Sequence, residues 1–149
     1  MIRFRDFTYE SMMDEAAMRA ALGEEMCGLL VRWTSDRLVS DPFILYARAE
    51  NVAEFKHNTY CVDHETHLWY AKSETFDIIG VVHSHLNGSV TPSRIDQDGM
   101  DPSLIYAIID TKMKQMSCWQ LHLDDSKASS GEGWRVTPWE TKQLPWQIN

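Results

Sequence analysis

A run of apolar and β-branched residues at 76–82 (FDIIGVV) leads directly into two histidines that stand two positions apart. Its length and composition predict a buried β-strand. Alternate residues of a strand point to the same face, so His83 and His85 can aim their imidazole rings at one point while Ser84 faces away. The chain must therefore fold around a buried strand that ends in a pair of converging histidines.

The residues that follow this strand can complete a metal site. Residues 87–89 (NGS) predict a turn, and Thr91 and Pro92 predict a helix start, as N-cap and first helical residue. Ser93 and Asp96 would then share a face of the first helical turn. Two histidines and one carboxylate leave a fourth position open for a water, as in catalytic zinc sites. Histidines at a strand end are often only hydrogen-bonded, and it is the added serine and aspartate that favour a metal site.

The spacing of these residues resembles a known motif. His83-Ser84-His85, seven further residues, Ser93, two residues and Asp96 match the HxH-x7-Sx2D motif of the JAMM (MPN+) metalloprotease family. The resemblance covers roughly residues 10–123, most of the chain.

Features outside the central stretch extend the resemblance. The family motif includes an upstream glutamate before a Cys-Gly-apolar strand, and Glu25 holds that position in residues 25–30 (EMCGLL). Without the zinc motif, Glu24 and Glu25 would both be interpreted as solvated turn residues. Asn51, before an acidic and aromatic segment, resembles the middle region of the family. Leu86 departs from the proline that many bacterial members have there, which bears on loop shape and family branch.

The resemblance implies a fold and a set of residue roles. JAMM proteins have a curved mixed β-sheet flanked by helices, a layered α/β fold of the cytidine-deaminase-like type. We expect one such domain over residues 1–149, with a tail at 134–149 that is not cleanly periodic. His83, His85 and Asp96 would bind one Zn²⁺ per chain. Glu25 would move the proton as general base and acid, and Ser93 would donate a hydrogen bond to the oxyanion.

The substrate class also comes from the resemblance. JAMM proteins cleave after the C-terminal tails of ubiquitin or ubiquitin-like proteins, including bacterial sulfur carriers. We therefore expect a deubiquitinase-like peptidase or isopeptidase with a ubiquitin-like or sulfur-carrier protein as its partner. Two alternatives stay open, a peptidase of phage tail assembly and a non-catalytic MPN scaffold. Scaffold members typically lack the metal ligands, so the presence of all five motif residues favours an enzyme.

Composition excludes several other classes of function. The net charge is −8 and no basic run occurs, which argues against nucleic-acid binding. Three cysteines without a CxxC pair predict free thiols in a reducing compartment. No apolar stretch reaches the roughly 18 residues of a membrane span, and the N-terminus lacks the apolar core of a signal peptide. These features predict a cytoplasmic protein that makes no membrane contact.

The remaining pattern predicts strands alternating with about three helices in one α/β domain. Helices are predicted over residues 12–22, capped by Thr8 or Ser11, and over residues 65–73, capped by Asp63. Further strands are predicted at 2–7, 26–33, 38–47, 59–62, 104–109, 117–123 and 134–136, and the strand at 38–47 is interrupted by Asp41 and Pro42.

Other residues offer alternative chemistry. Cys27 could be a nucleophile, but a thiol within an apolar strand is more simply interpreted as buried and inert. His64 and His67 stand three apart rather than four as in HExxH, which favours an exposed helical turn. Asp98 and Asp101 could compete as metal ligands, although the motif spacing favours the earlier aspartate. Residues 55–69 combine aromatic rings and histidines and could border a substrate groove.

Overall fold

Strands and helices alternate along the chain in the computed structural model, which describes residues 3–4, 6–40, 42–123 and 134–138. The strands of these residues are β1 (Arg3–Phe4), β2 (Cys27–Trp33), β3 (Phe43–Ala49), β4 (Phe76–His85), β5 (Ile105–Asp110), β6 (Gln115–Leu123) and β7 (Trp134–Pro138). The α-helices are α1 (Asp6–Ala21), α2 (His64–Ala71) and α3 (Arg94–Asp98). The predicted tail beyond residue 138 lies outside the described residues.

The strand β4 occupies the middle of a single sheet with the order β1-β3-β2-β4-β5-β6-β7. It runs antiparallel to β2 and parallel to β5. The predicted mixed sheet flanked by helices is therefore confirmed. Because β4 has a neighbour on each side, its end is held by both: His83 pairs with Cys27 and with Ile108, and His85 pairs with Asp110.

Helices cover both faces of this sheet. On one face, Met12 and Ala16 of α1 are buried in a core cluster with Leu30 of β2. On the other face, Tyr70 of α2 packs against a second cluster that contains Leu29. Adjacent residues of β2 thus fall in different clusters, as the alternation of a strand requires. The sheet is therefore the middle layer of the domain, and the two histidines lie at the end of its central strand.

The first helix begins earlier than predicted. α1 starts at Asp6 instead of within residues 12–22, and neither predicted cap residue stands at its start. Thr8, Met12 and Ala16, spaced four apart, are all buried. This spacing puts them on the one face that packs on the sheet. Packing of that face, rather than the polar residues along it, decides where the helix begins.

Two predicted strand boundaries also differ. Residues 59–62 do not form a strand, and Val62 makes only an isolated bridge with Asn51. β3 begins after Pro42 instead of at residue 38, because proline lacks the N–H that a strand interior needs. By contrast, Asp63 caps α2 as predicted, with its side chain accepting a hydrogen bond from the Thr66 N–H.

None of the helices in the described ranges is long and apolar enough to cross a bilayer. The three cysteines are free, with Cys27 and Cys118 buried and Cys61 exposed.

Candidate metal centre

Three metal-ligating side chains converge at the end of β4. His83 and His85 are the third-last and last residues of β4, and Asp96 lies in the first turn of α3. The two Nε2 atoms are 3.1 Å apart, and Asp96 Oδ2 lies 3.2 Å from His83 Nε2 and 3.0 Å from His85 Nε2. All three residues are buried. Among the described residues these side chains form a group that could hold a metal ion.

A reciprocal pair of hydrogen bonds fixes Asp96. Ser93 is the N-cap of α3, and its Oγ accepts from the Asp96 N–H at 3.0 Å, while Asp96 Oδ2 accepts from the Ser93 N–H at 2.9 Å. The prediction of Thr91 as N-cap with Pro92 as first helical residue is therefore wrong. Ser93 and Asp96 stand at the spacing that satisfies two free backbone donors together, and this capping box sets the helix start. The same bonds hold the carboxylate toward the histidines.

The two histidines are oriented by different contacts. His85 Nδ1 lies 3.0 Å from the carbonyl oxygen of Ser89, so the neutral ring carries its proton on Nδ1 and keeps the Nε2 lone pair for a metal, whereas the protonated ring can also donate from Nε2 to Asp96. His83 Nδ1 is buried and makes no hydrogen bond within the described part of the chain. Its ring instead stacks on Tyr60, with ring centroids 4.1 Å apart and an angle of 19° between the planes.

Glu25 stands two residues before the start of β2 as a buried carboxyl group. It is 3% exposed, and its Oε1 has no hydrogen-bond partner among the residues the structure describes. Burial raises the pKa of Glu25 to about 7, His85 acts against this rise and Asp96 adds to it. A carboxyl group that titrates near neutral pH can both accept and release a proton.

Burial and mutual hydrogen bonds shift the pKa values of the three ligand residues. Burial lowers the pKa of His83. Burial acts in the same direction on His85, but the hydrogen bond and charge of Asp96, the charge of Glu25 and the hydrogen bond with Ser89 together outweigh it, so the pKa of His85 is raised. Burial alone would raise the pKa of Asp96, yet hydrogen bonds from both histidines hold it well below its ordinary value. The centre thus presents a buried carboxylate anion, which a bound cation would neutralise.

A divalent metal ion fits this donor set. Tetrahedral zinc with ligand distances of about 2.0–2.1 Å has ligand atoms about 3.3 Å from one another. The three separations found here, between 3.0 and 3.2 Å, are close to that value. Two imidazole nitrogens and one carboxylate oxygen are also donors that zinc accepts, and three protein ligands leave a position open.

The metal centre borders a cleft of about 350 Å³. Glu25, His85 and Ser93 all line this cleft, so the five residues singled out in the sequence meet at one place. Its remaining lining residues are His57, Asn58, Leu86, Asn87 and Ile95. Within the segment predicted to border a groove, it is thus His57 and Asn58 that reach this cleft.

One family of sequences matches most of this chain. The family is described as prokaryotic homologs of the JAB domain, and the match spans residues 8–122. The chain belongs to this family. A comparison with curated proteins found no match for the JAB-domain chain.

Solved structures agree with the assignment to the JAB domain. The solution structure of a protein from Desulfitobacterium hafniense superposes with a TM-score of 0.64 at 25% identity, over 92% of this chain and 90% of that one. The solution structure of a Salinibacter ruber protein gives 0.56 at 18% identity, over 91% and 88%. A JAB1/MPN domain protein from Archaeoglobus fulgidus, a crystal structure, gives 0.50 at 14% identity, over 78% and 86%. The last two show a shared fold.

The alternative residues lie outside the metal centre of this JAB domain. His64 and His67 are exposed on α2, and Asp98 and Asp101 are exposed as well; none of the four belongs to the ligand group. Cys27 is buried, and burial raises its pKa to about 12. A thiol with that pKa holds its proton at neutral pH and is a poor nucleophile.

Sequence reasoning missed two residues that shape this part of the JAB domain. Tyr60 stacks on His83 and was not singled out. Ser84 ties β4 to the residue after Glu25: its Oγ accepts from the Met26 N–H at 2.7 Å, and its N–H donates to the Met26 carbonyl at 3.0 Å. The only available signal for Ser84 was its place between the histidines, and no local pattern marks Tyr60.

Proposed function

We propose that this JAB domain is a zinc-dependent peptidase or isopeptidase. One observation carries the proposal: the buried His83, His85 and Asp96 triangle borders the same cleft as Glu25, whose pKa burial raises to about 7. A metal site that only stabilised the fold would not need an unpaired, buried carboxyl group beside it. Catalysis of hydrolysis does need one, since a proton must leave the attacking water and reach the leaving group.

In the proposed mechanism the metal-binding residues and Glu25 have separate roles. His83, His85 and Asp96 would hold a zinc ion, which would supply Lewis acidity toward a water and toward the scissile carbonyl. Glu25 accepts the proton of the water that attacks the carbonyl carbon. Glu25 then delivers that proton to the departing amine, and its pKa near 7 allows both transfers.

Ser93 lines the cleft and has a hydroxyl hydrogen that it can donate, so it can contribute to catalysis as well as cap α3. Its Oγ accepts from the Asp96 N–H, which leaves the hydroxyl hydrogen available for donation. Ser93 is exposed to the cleft that Glu25 also lines. In the proposed mechanism this hydroxyl donates a hydrogen bond to the oxyanion that forms on the substrate. Donors of this kind lower the activation free energy by roughly 3 kcal/mol.

We propose a ubiquitin-like or sulfur-carrier protein as the substrate, cleaved after its C-terminal tail in the cytoplasm. Membership of the JAB-domain family and the resemblance to the JAMM motif support this choice. Beside the metal centre the cleft is lined by His57 and Asn58 and by Leu86, Asn87 and Ile95, and we propose that the tail binds there.

Zinc content tests the metal centre. We expect about one zinc ion per purified wild-type chain, as three-ligand catalytic sites hold, and its loss in His83→Ala. His64→Ala, which removes an exposed histidine of α2, should keep its zinc. A wild-type chain that binds no zinc would overturn the mechanism and favour a non-catalytic scaffold.

Cleavage tests the chemistry. The substrate is a ubiquitin-like protein with a C-terminal extension, and release of the extension is followed by mass spectrometry. Glu25→Ala should keep its zinc and lose about 10²–10⁴-fold in rate. Glu24→Ala is the matched control, since Glu24 is adjacent but does not line the cleft. Zinc binding without cleavage by wild type would reject this substrate class and direct attention to the tail-assembly peptidase.

A further inference from the structure

We propose that Asn51 and Tyr60 form a positioning unit that holds the metal-ligating ring of His83 and the carboxyl-bearing residue Glu25 in one geometry. The inference rests on the proposed function, because it presumes that His83 binds a metal. It adds two residues that do not belong to the ligand group and do not line the cleft. Each acts through another residue of the site.

Tyr60 performs the orienting role that a hydrogen bond performs for His85. A metal-ligating histidine usually donates its second ring N–H to a fixed acceptor, which sets the ring's orientation. His85 has such an acceptor in the Ser89 carbonyl. His83 has none among the described residues, and its buried face instead lies against the Tyr60 ring at 4.1 Å. Near-parallel stacking at 19° restricts rotation of the imidazole out of the plane that aims Nε2 at the other ligands.

Asn51 holds the backbone on both sides of Tyr60. Its Nδ2 donates to the Thr59 carbonyl at 3.0 Å, and its Oδ1 accepts from the Cys61 N–H at 3.1 Å. These two bonds clamp the residues directly before and after Tyr60. The Val52 N–H also donates to the Cys61 carbonyl at 2.9 Å, which closes the base of the loop 51–61. The tyrosine ring is therefore presented from a fixed backbone.

The same amide reaches Glu25. Asn51 Nδ2 donates its other hydrogen to the Glu25 carbonyl at 3.0 Å, and Asn51 Oδ1 also accepts from the Ala53 N–H. The Glu25 N–H in turn donates to the carbonyl of Lys56, in the middle of the loop 51–61. All four hydrogen-bonding positions of the buried Asn51 amide are thus used. One side chain links the backbone of the proposed general base to the residue that orients His83.

Replacement of the tyrosine ring tests the stacking. We expect Tyr60→Leu to weaken Zn²⁺ binding by about 10–100-fold, the usual cost of removing a contact that orients a metal ligand. Tyr60→Phe keeps the ring and should bind Zn²⁺ within about twofold of wild type, since the contact itself is retained. Affinity is measured by competition with a chromophoric chelator. The visible spectrum of the Co²⁺-loaded protein reports any change in ligand geometry.

Phe55→Leu is the matched control for loss of an aromatic ring. Phe55 lies on the same loop but is 58% exposed, and its ring contacts His57 rather than a metal ligand. It should bind Zn²⁺ as wild type does. The melting temperature of each metal-free variant is measured in parallel, because a purely structural role for Tyr60 would lower that temperature and leave Zn²⁺ affinity unchanged. That result would overturn the inference.

Asn51→Asp provides a second test should Tyr60→Leu fail to fold. It keeps Oδ1 for the N–H groups of Ala53 and Cys61 but places an oxygen against the carbonyls of Glu25 and Thr59, where Nδ2 donates in wild type. We expect weaker Zn²⁺ binding and a lower kcat with KM little changed. Wild-type Zn²⁺ affinity and kcat in this variant would contradict the inference while leaving the proposed function intact. Failure of wild type itself to bind Zn²⁺ would overturn both.

Discussion

The buried carboxyl group of Glu25 makes the free energy of unfolding depend on pH and also has a proposed catalytic role. Burial raises its pKa from 4.5 to about 7, so the folded chain holds this proton more tightly than the unfolded chain does. The resulting stabilisation is complete below about pH 4.5, falls as the pH rises, and is lost above about pH 7. We expect the metal-free wild type to lose up to about 3 kcal/mol of unfolding free energy between those limits relative to Glu25→Gln, which cannot titrate. Urea unfolding in the presence of a chelator measures this, and parallel pH profiles for the two proteins would contradict it.

Ser93 combines two roles that a pair of variants can separate. Its Oγ caps α3 through the Asp96 N–H, and its hydroxyl hydrogen is the proposed donor to the oxyanion. Ser93→Ala should cost about 1 kcal/mol of stability from the cap. It should also lower kcat by about 10²–10³-fold from the lost donor. Ser93→Thr keeps both functions of the hydroxyl and should be close to wild type in both. Loss of stability with an unchanged kcat in Ser93→Ala would show that the residue is a cap alone.

At the scale of elements, β4 must approach β5 closely in the middle of the sheet. A Cβ added to Gly80 would lie inside the contact distance of the Ile105 carbonyl oxygen, which is backbone and cannot rotate away. We therefore expect Gly80→Ala to separate the two strands and to destabilise the protein by about 1–3 kcal/mol. Gly99→Ala is the control, because the nearest atoms there lie at 3.7 Å and the backbone is right-handed helical. Equal stability of the two variants in urea unfolding would contradict this account of the β4–β5 pairing.

At the scale of the whole molecule, the candidate metal centre joins two separate elements. His83 and His85 belong to β4, whereas Asp96 belongs to α3. A metal that binds only the folded chain should therefore stabilise the whole domain, by about 4 kcal/mol when free metal exceeds Kd a thousandfold. We expect Zn²⁺ to raise the melting temperature of wild type and of His64→Ala, and to leave that of His85→Ala unchanged. A Zn²⁺ effect that survives in His85→Ala would place the metal elsewhere.

The sequence by itself determined the alternation of strands and helices in one α/β domain, the buried strand with its two histidines, and the common face of Ser93 and Asp96, while the mixed sheet followed from the family resemblance. The last two features depend on short-range geometry, because alternate residues of a strand share a face and residues three apart on a helix share a face. A spacing written in the chain is therefore enough to predict them. In the structure the side chains of His83, His85 and Asp96 do converge.

Only the tertiary structure decided the rest. The start of α1 follows the packing of Thr8, Met12 and Ala16 on the sheet rather than a cap signal. The contacts of Tyr60 with His83 and of Asn51 with Glu25 join residues more than twenty positions apart. No local pattern encodes such contacts, because they exist only once the loop 51–61 has been placed against the ends of β2 and β4. Burial, which moves the pKa of Glu25 to about 7, is likewise a property of the folded chain alone.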